Sequence, residues 1–286
     1  MTAALEPVTG RYVHFDYEGR SCRVYFEEAG QGIPLLCLHT AGADTRQFRG
    51  LLNEPRITER FRVIAFDLPW HGKSSPPEGW QRETWRLTSN GYCELILGFM
   101  QAIDLSEPVV MGCSIGGRIC LHLALDHAPS FRAIIGLQSA ASTPRYYDPS
   151  WLGHPEVNGP VAGAATVMGL MCPQSPEAER WETLWHYMQG GPGVFAGDLY
   201  FYQVDGDFSE RVHDIETDAT PLYLLTGEYD YSCSAQDTLN TAARIAGVDM
   251  RIMPGLGHFP MSENPAAFIE QLLPVLDEIA APAAEG

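Results

Sequence analysis

The chain has 286 residues, 45% of them hydrophobic and 19% charged, a balance that suits a soluble globular enzyme of one large α/β domain or two small ones. Thirty-six Asp and Glu against 18 Lys and Arg leave a formal charge of −18, which argues against nucleic acid or an anionic membrane as partner. No apolar run is long enough to span a bilayer. The opening Met1-Thr2-Ala3-Ala4-Leu5-Glu6-Pro7 has neither the basic region nor the apolar core of a signal peptide. Seven scattered cysteines, with no CxxC pair, fit small core thiols in a reducing cytoplasm better than a disulfide frame or a zinc site.

Taken in chain order, residues 11–18 alternate in their second half and 21–29 follow across Glu18-Gly19-Arg20, which predicts an antiparallel hairpin at a sheet edge. Residues 34–38 read as a short apolar strand ending at His39-Thr40-Ala41-Gly42, and Asp44 can cap a helix to about Leu52. A strand over 61–66 ends in Asp67-Leu68-Pro69-Trp70-His71-Gly72-Lys73-Ser74-Ser75. A loop with Pro and Trp leads to a helix over 88–103. Residues 109–111 suit a buried parallel strand. From Ile115 a helix begins, with Ile115, Ile119 and Leu123 on one stripe and Ala128-Pro129 closing it. Residues 131–137 give the next strand.

There the alternation stops. Residues 142–220 lack any βα rhythm, carry Trp151, Trp181, Trp185, Tyr187, Met168, Met171 and Met188, and are interrupted by Gly-Pro breaks. They predict an inserted, mostly helical cap that splits the core into residues 1–141 and 221–286. The rhythm resumes with a strand over 221–226 ending at Gly227-Glu228-Tyr229-Asp230, a helix over 234–245 and a strand over 249–253. Gly255-Leu256-Gly257-His258 and a final helix over 264–279 follow, and 280–286 read as a frayed tail. Strands alternating with helices predict an α/β fold, a mainly parallel eight-stranded sheet covered on both faces.

Between the strand at 109–111 and the helix from Ile115 lies Gly112-Cys113-Ser114-Ile115-Gly116. A strand that turns straight into a helix bends sharply, and flanking glycines remove the side chains that would clash. Ser114 is then held at the tip beside the N–H groups of a helix N-terminus, as in a nucleophile elbow. Functional groups of open α/β sheets collect at the carboxyl ends of the strands. Ser114, Asp230, His258 and the His39-Thr40-Ala41 turn all fall there, in the order Ser, Asp, His.

With these motifs the sequence resembles the α/β-hydrolase superfamily, in its capped, cofactor-independent serine hydrolase form. The resemblance covers about residues 11–280 and rests on four features: the Ser114 elbow, Asp67-x-Pro69-x-His71-Gly72-x-Ser74, Gly227-x-x-Asp230 and Gly257-His258. It implies a hydrolase with no cofactor and no metal, a small-molecule substrate, and a monomer or homodimer. A serine hydroxyl needs a base, and His258, with a free pKa near 6.5, is the choice. Asp230 would accept the other ring N–H and fix the tautomer. The N–H groups of Ile115 and Ala41 would receive the oxyanion.

Other polar residues get plainer roles. His122 and His127 point away along the helix, His39 and His71 hold loops, and Cys113 is buried and inert. Glu228 is the alternative acid. Thr40, Trp70, Trp185 and His186 are expected to touch substrate. Thr40 and Trp70 stand where the family commonly carries glycine, and the Thr40 hydroxyl is a possible aid to the oxyanion site. A serine at 114 argues against haloalkane dehalogenase or epoxide hydrolase chemistry, which would need aspartate there. The expected activity is cleavage of an ester or related acyl bond, lactone and thioester included, of a small hydrophobic or aromatic substrate through an acyl-enzyme. The same triad would serve a carbon–carbon bond hydrolase of a diketone-like substrate, and a ligand receptor on a hydrolase scaffold is the non-enzymatic alternative. Fold alone does not choose among them.

Overall fold

The computed structural model describes residues 4–143, 151–152, 154 and 156–281. Eight strands form one sheet: β1 (Thr9–Tyr17), β2 (Arg20–Ala29), β3 (Ile33–Leu38), β4 (Phe61–Phe66), β5 (Val109–Cys113), β6 (Ala133–Leu137), β7 (Leu222–Gly227) and β8 (Asp249–Met253). Their order is β1-β2-β4-β3-β5-β6-β7-β8. β2 runs antiparallel to both β1 and β4, and the other neighbouring pairs are parallel. The expected edge hairpin is present: Tyr17 pairs with Arg20 across Glu18 and Gly19. Both turn residues have positive φ (50° and 73°), the twist that a two-residue hairpin requires.

The helices are α1 (Arg49–Leu52), α2 (Pro55–Thr58), α3 (Ser89–Ala102), α4 (Ile115–Asp126), α5 (Gly159–Met168), α6 (Glu177–Tyr187), α7 (Val194–Tyr200), α8 (Ala235–Ala242), α9 (Pro260–Glu263) and α10 (Pro265–Ala280). Their starts obey capping chemistry. Thr88 accepts from the Gly91 N–H, Asn264 from that of Ala267, and Ser234 forms a reciprocal box with Asp237. Asp44 caps as expected, on a 3-10 turn, Thr45–Phe48, that runs into α1.

Apart from the edge strand β8, the parallel strands are largely buried on both faces, so alternate side chains enter different cores. Leu36, Leu38 and Val110 pack with the Ile115, Ile119 and Leu123 stripe of α4 and with Leu95, Ile96 and Phe99 of α3. Leu35, Cys37, Val109 and Met111 pack with Phe268, Leu272, Val275 and Leu276 of α10. All seven cysteines are free and buried.

Helices α5, α6 and α7 lie between β6 and β7, and α7 continues into a wider π turn, Phe201–Asp205. A third cluster joins them to the sheet's loops: Ala164, Val167, Met171, Leu184 and Tyr187 pack with Ala43 after β3 and with Phe259 beside His258. Part of the expected insertion, 144–150, 153 and 155, and the tail from Pro282 lie outside the described residues. β5 runs two residues further than its apolar signal, pairing Gly112 with Leu38 and Cys113 with Leu137. Among the described residues no helix is long and apolar enough to cross a membrane.

Candidate active site

Ser114 follows β5 directly and precedes the first residue of α4. Its backbone is held at φ 59° and ψ −112°, a strained conformation for a residue with a side chain. The flanking glycines make the bend possible. A Cβ on Gly112 would sit 2.2 Å from the Gly116 carbonyl oxygen, and one on Gly116 would sit 2.5 Å from that of Leu38. The Ser114 N–H donates to the Leu137 carbonyl at 3.0 Å, and its carbonyl accepts from the Arg118 N–H at 2.7 Å, so both sides of the turn are fixed.

His258 arrives from the loop after β8. Its Nδ1 lies 2.8 Å from Asp230 Oδ2, at the end of the turn that leaves β7. The other Asp230 oxygen accepts from the Ser232 and Cys233 N–H groups at 2.8 and 3.0 Å, which leaves the carboxylate a single orientation toward the ring. Ser114, Asp230 and His258 are all buried. Glu228 is exposed and accepts from the Gly255 N–H at 3.1 Å, away from the imidazole. Burial raises the Cys113 thiol far above its ordinary range, so the neighbour of Ser114 is no thiolate.

Ser114 and His258 line one small cavity together with Thr40, Ala41 and Ser232. The rest of its wall comes mainly from the segment between β6 and β7: Thr166, Val167, Leu170, Tyr187, Phe195, Leu199 and Tyr202. The free space is about 20 Å³, room for roughly one water. A substrate therefore enters only if some of these side chains give way.

The loop after β3 places two further groups. Among the described residues nothing accepts from the Ala41 N–H, and Ile115, as the first residue of α4, has no acceptor within its own helix. The Thr40 hydroxyl is engaged elsewhere. It meets Tyr187 Oη and lies 3.0 Å from Gln47 Nε2, while the Thr40 N–H donates to Gln47 Oε1 at 3.0 Å. Thr40 thus lines the cavity and ties it to α6, with its hydroxyl committed to these two partners.

Two buried carboxylates that the sequence did not single out fix these loops. Asp198 of α7 accepts from the Gly42 N–H (2.7 Å), the Trp85 indole (2.7 Å) and His71 Nε2 (2.8 Å). Burial works against a charged His71, yet Asp198 holds its imidazole above the ordinary range. Glu263 of α9 accepts from the N–H groups of Gly257 (2.6 Å), Cys172 (3.2 Å) and Phe259 (3.3 Å) and from the Ser175 hydroxyl (3.0 Å). The peptides on either side of His258 are thereby joined to the segment between β6 and β7, and the His258 N–H itself donates to the Leu170 carbonyl. His39 and His71 hold loops, as expected: His39 Nε2 accepts from the Leu68 N–H at 3.2 Å and its Nδ1 lies 2.8 Å from the Thr40 carbonyl.

Three expected substrate contacts lie elsewhere. Trp185 is 60% exposed, on the face of α6 that also carries Trp181 and Met188, while Thr183, Leu184 and Tyr187 turn inward. His186 is buried near Glu182 and is pushed down to about 4 by its burial and by Arg46, and it is absent from the cavity wall. Trp70 takes a left-handed backbone (φ 76°) where glycine is common and packs its ring on Trp80 and Trp85. The apolar cavity residues escaped notice because they come from α5, α6, α7 and the turns beside them, and sequence phase alone does not say which face of each helix is covered. Among the described residues no group of three or more His, Cys, Asp or Glu is placed to hold a metal.

The family model of the alpha/beta hydrolases matches residues 35–271. The chain belongs to the alpha/beta hydrolase family. A thermophilic esterase from Thermogutta terrifontis superposes with a TM-score of 0.82 at 17% identity, covering 96% of this chain and all (100%) of that one. An enol-lactonase from Burkholderia xenovorans LB400 gives 0.79 at 17% identity, covering 92% and 99%. At those identities the likeness shows the fold. In sequence, the dihydrolipoyllysine-residue acetyltransferase component of the acetoin cleaving system of Pseudomonas putida is 33% identical over 124 residues, 43% of this chain. That match spans 31% of the relative's own length.

Proposed function

We propose that this hydrolase cleaves an ester or related acyl bond of a small hydrophobic or aromatic substrate, with Ser114 as nucleophile, His258 as base and Asp230 orienting the base. The observation that carries this reading is the placement of Ser114, on its strained turn, and of His258, backed by Asp230 at 2.8 Å, on one buried cavity. With Asp230 on Nδ1, the Nε2 of His258 is left to take the Ser114 proton as the hydroxyl attacks the acyl carbon. The tetrahedral oxyanion is received by the Ala41 and Ile115 N–H groups, where such donors are worth more than in water. His258 returns the proton to the leaving alcohol, and water repeats the sequence to release the acid.

Residues 142–220 serve as the cap, and the wall of Val167, Leu170, Phe195 and Leu199 favours apolar groups over polar ones. Each added methylene then improves binding by up to about 0.8 kcal/mol until the space is full. The test is kcat/KM for p-nitrophenyl esters of increasing acyl length in dilute solution, beside Ser114→Ala. Turnover that peaks at a short or medium acyl group and falls about a thousandfold or more in the variant is expected. Ester turnover that survives Ser114→Ala contradicts the reading. Turnover confined to a diketone-like substrate would move the assignment to carbon–carbon bond hydrolysis.

A further inference from the structure

A second cavity lies beside the first, also at the inserted helices. It is lined by Gly42, Gly163, Gly190 and Gly191 among others, and it shares two wall residues with the Ser114 cavity, Tyr187 and Phe195. The two shared rings stand edge to face, 6.4 Å apart at 85°. They are not equivalent. Tyr187 is buried and its hydroxyl is bonded to Thr40 and Gln47, so its ring is tied in place. Phe195 has no polar group to anchor it and is only partly buried.

The surroundings of Phe195 are cut to its ring. Its Cδ2 lies 2.8 Å from where a Cβ on Gly42 would stand, and its Cδ1 3.5 Å from that of Gly163. The ring thus passes between two glycines, one beside the Ala41 N–H and one on α5. The helix that carries it is fixed three residues later, where Asp198 holds Gly42, His71 and Trp85. A smaller side chain at 195 therefore leaves space, because α7 is not free to close in.

We infer that Phe195 sets the size of the acyl or aromatic group the site accepts, by standing as the partition between the Ser114 cavity and the outer glycine-lined cavity. This rests on the esterase reading above. With the ring in place, a chain longer than the inner cavity meets a wall. With the ring removed, the two cavities join, and each further methylene finds apolar surface in place of a clash, a gain of roughly fourfold per methylene.

The experiment compares Phe195→Ala with wild type across the p-nitrophenyl ester series. Binding of methyl ketones of the same chain lengths, which cannot be hydrolysed, is then measured by calorimetry in a Ser114→Ala background. The expected result is a shift of the length optimum by about two methylenes or more in both series, with Phe195→Leu intermediate. Adding Gly163→Leu to Phe195→Ala, which refills the outer cavity, should move the optimum back. An unchanged optimum, with every length altered by the same factor, overturns the role of Phe195. A wild type inactive on esters whose ketone series still shifts would retain the partition and remove the esterase reading. If Phe195→Ala does not fold, Phe195→Leu decides by the same criterion.

Discussion

His39 and His71 lie 4.8 Å apart, ring centre to ring centre, at the carboxyl ends of β3 and β4, and they are pushed in opposite directions. Burial, and then the neighbouring His71, lower His39 from 6.5 to about 4, in keeping with its Nε2 acting as acceptor for the Leu68 N–H. His71 is raised through Asp198, against its burial. For His39 the folded pKa is depressed, so its contribution is intact above about 6.5. It is lost as pH falls toward about 4, by roughly 1.4 kcal/mol per unit. For His71 the folded pKa is raised. Its contribution is complete below its unfolded value and is lost as pH rises through the folded one. A ¹⁵N NMR titration is expected to find His39 neutral down to near pH 4 and His71 still protonated above the ordinary histidine range. A shared titration near 6.5 would contradict the pairing. At this scale the tight turn at Ser114 and the meeting of Asp230 with His258 were legible because glycines and strand ends mark them. Trp70, Trp185 and His186 were misplaced because residue type says nothing about which way a side chain faces.

The turn that leaves β7 offers two acids, and its geometry chooses between them. Glu228 follows the last residue of the strand and caps the Gly255 N–H from the surface. Asp230 lies two residues on and reaches His258. Asp230→Asn is expected to keep the fold, favour the wrong imidazole tautomer and lower kcat by about a thousandfold or more, while Glu228→Gln stays within about twofold. Kinetics of the two variants on one ester settle the matter, and the reverse ranking would contradict it. Strands and helices of the core were readable from apolar runs and caps such as Thr88 and Ser234. Besides the short helices α2 and α9, the exception was β5. Its signal stops at Met111, because the two residues that complete it, Gly112 and Cys113, serve the bend and not strand propensity. The orientation of α6 was not readable: Trp181, Trp185 and Met188 make an outer stripe as apolar as the inner one.

Across the whole molecule, the loops around the candidate site are braced from the helices between β6 and β7 as much as from the sheet. Asp198 reaches from α7 to the loop after β3, and Glu263 joins the His258 loop to Cys172 and Ser175. Such long-range pairs leave no local pattern. The sheet was legible as a class, since an edge hairpin followed by apolar segments in βα alternation points to a mainly parallel sheet covered by helices. The contacts that close the cavity come from side chains far apart in sequence and had to be seen. We propose that Ser114 carries the reactive hydroxyl, and one measurement addresses that directly: labelling with a fluorophosphonate, followed by peptide mass mapping. A single adduct on Ser114 is expected, absent in Ser114→Ala and strongly slowed in His258→Ala. An adduct on another residue, or labelling undiminished in Ser114→Ala, would contradict it.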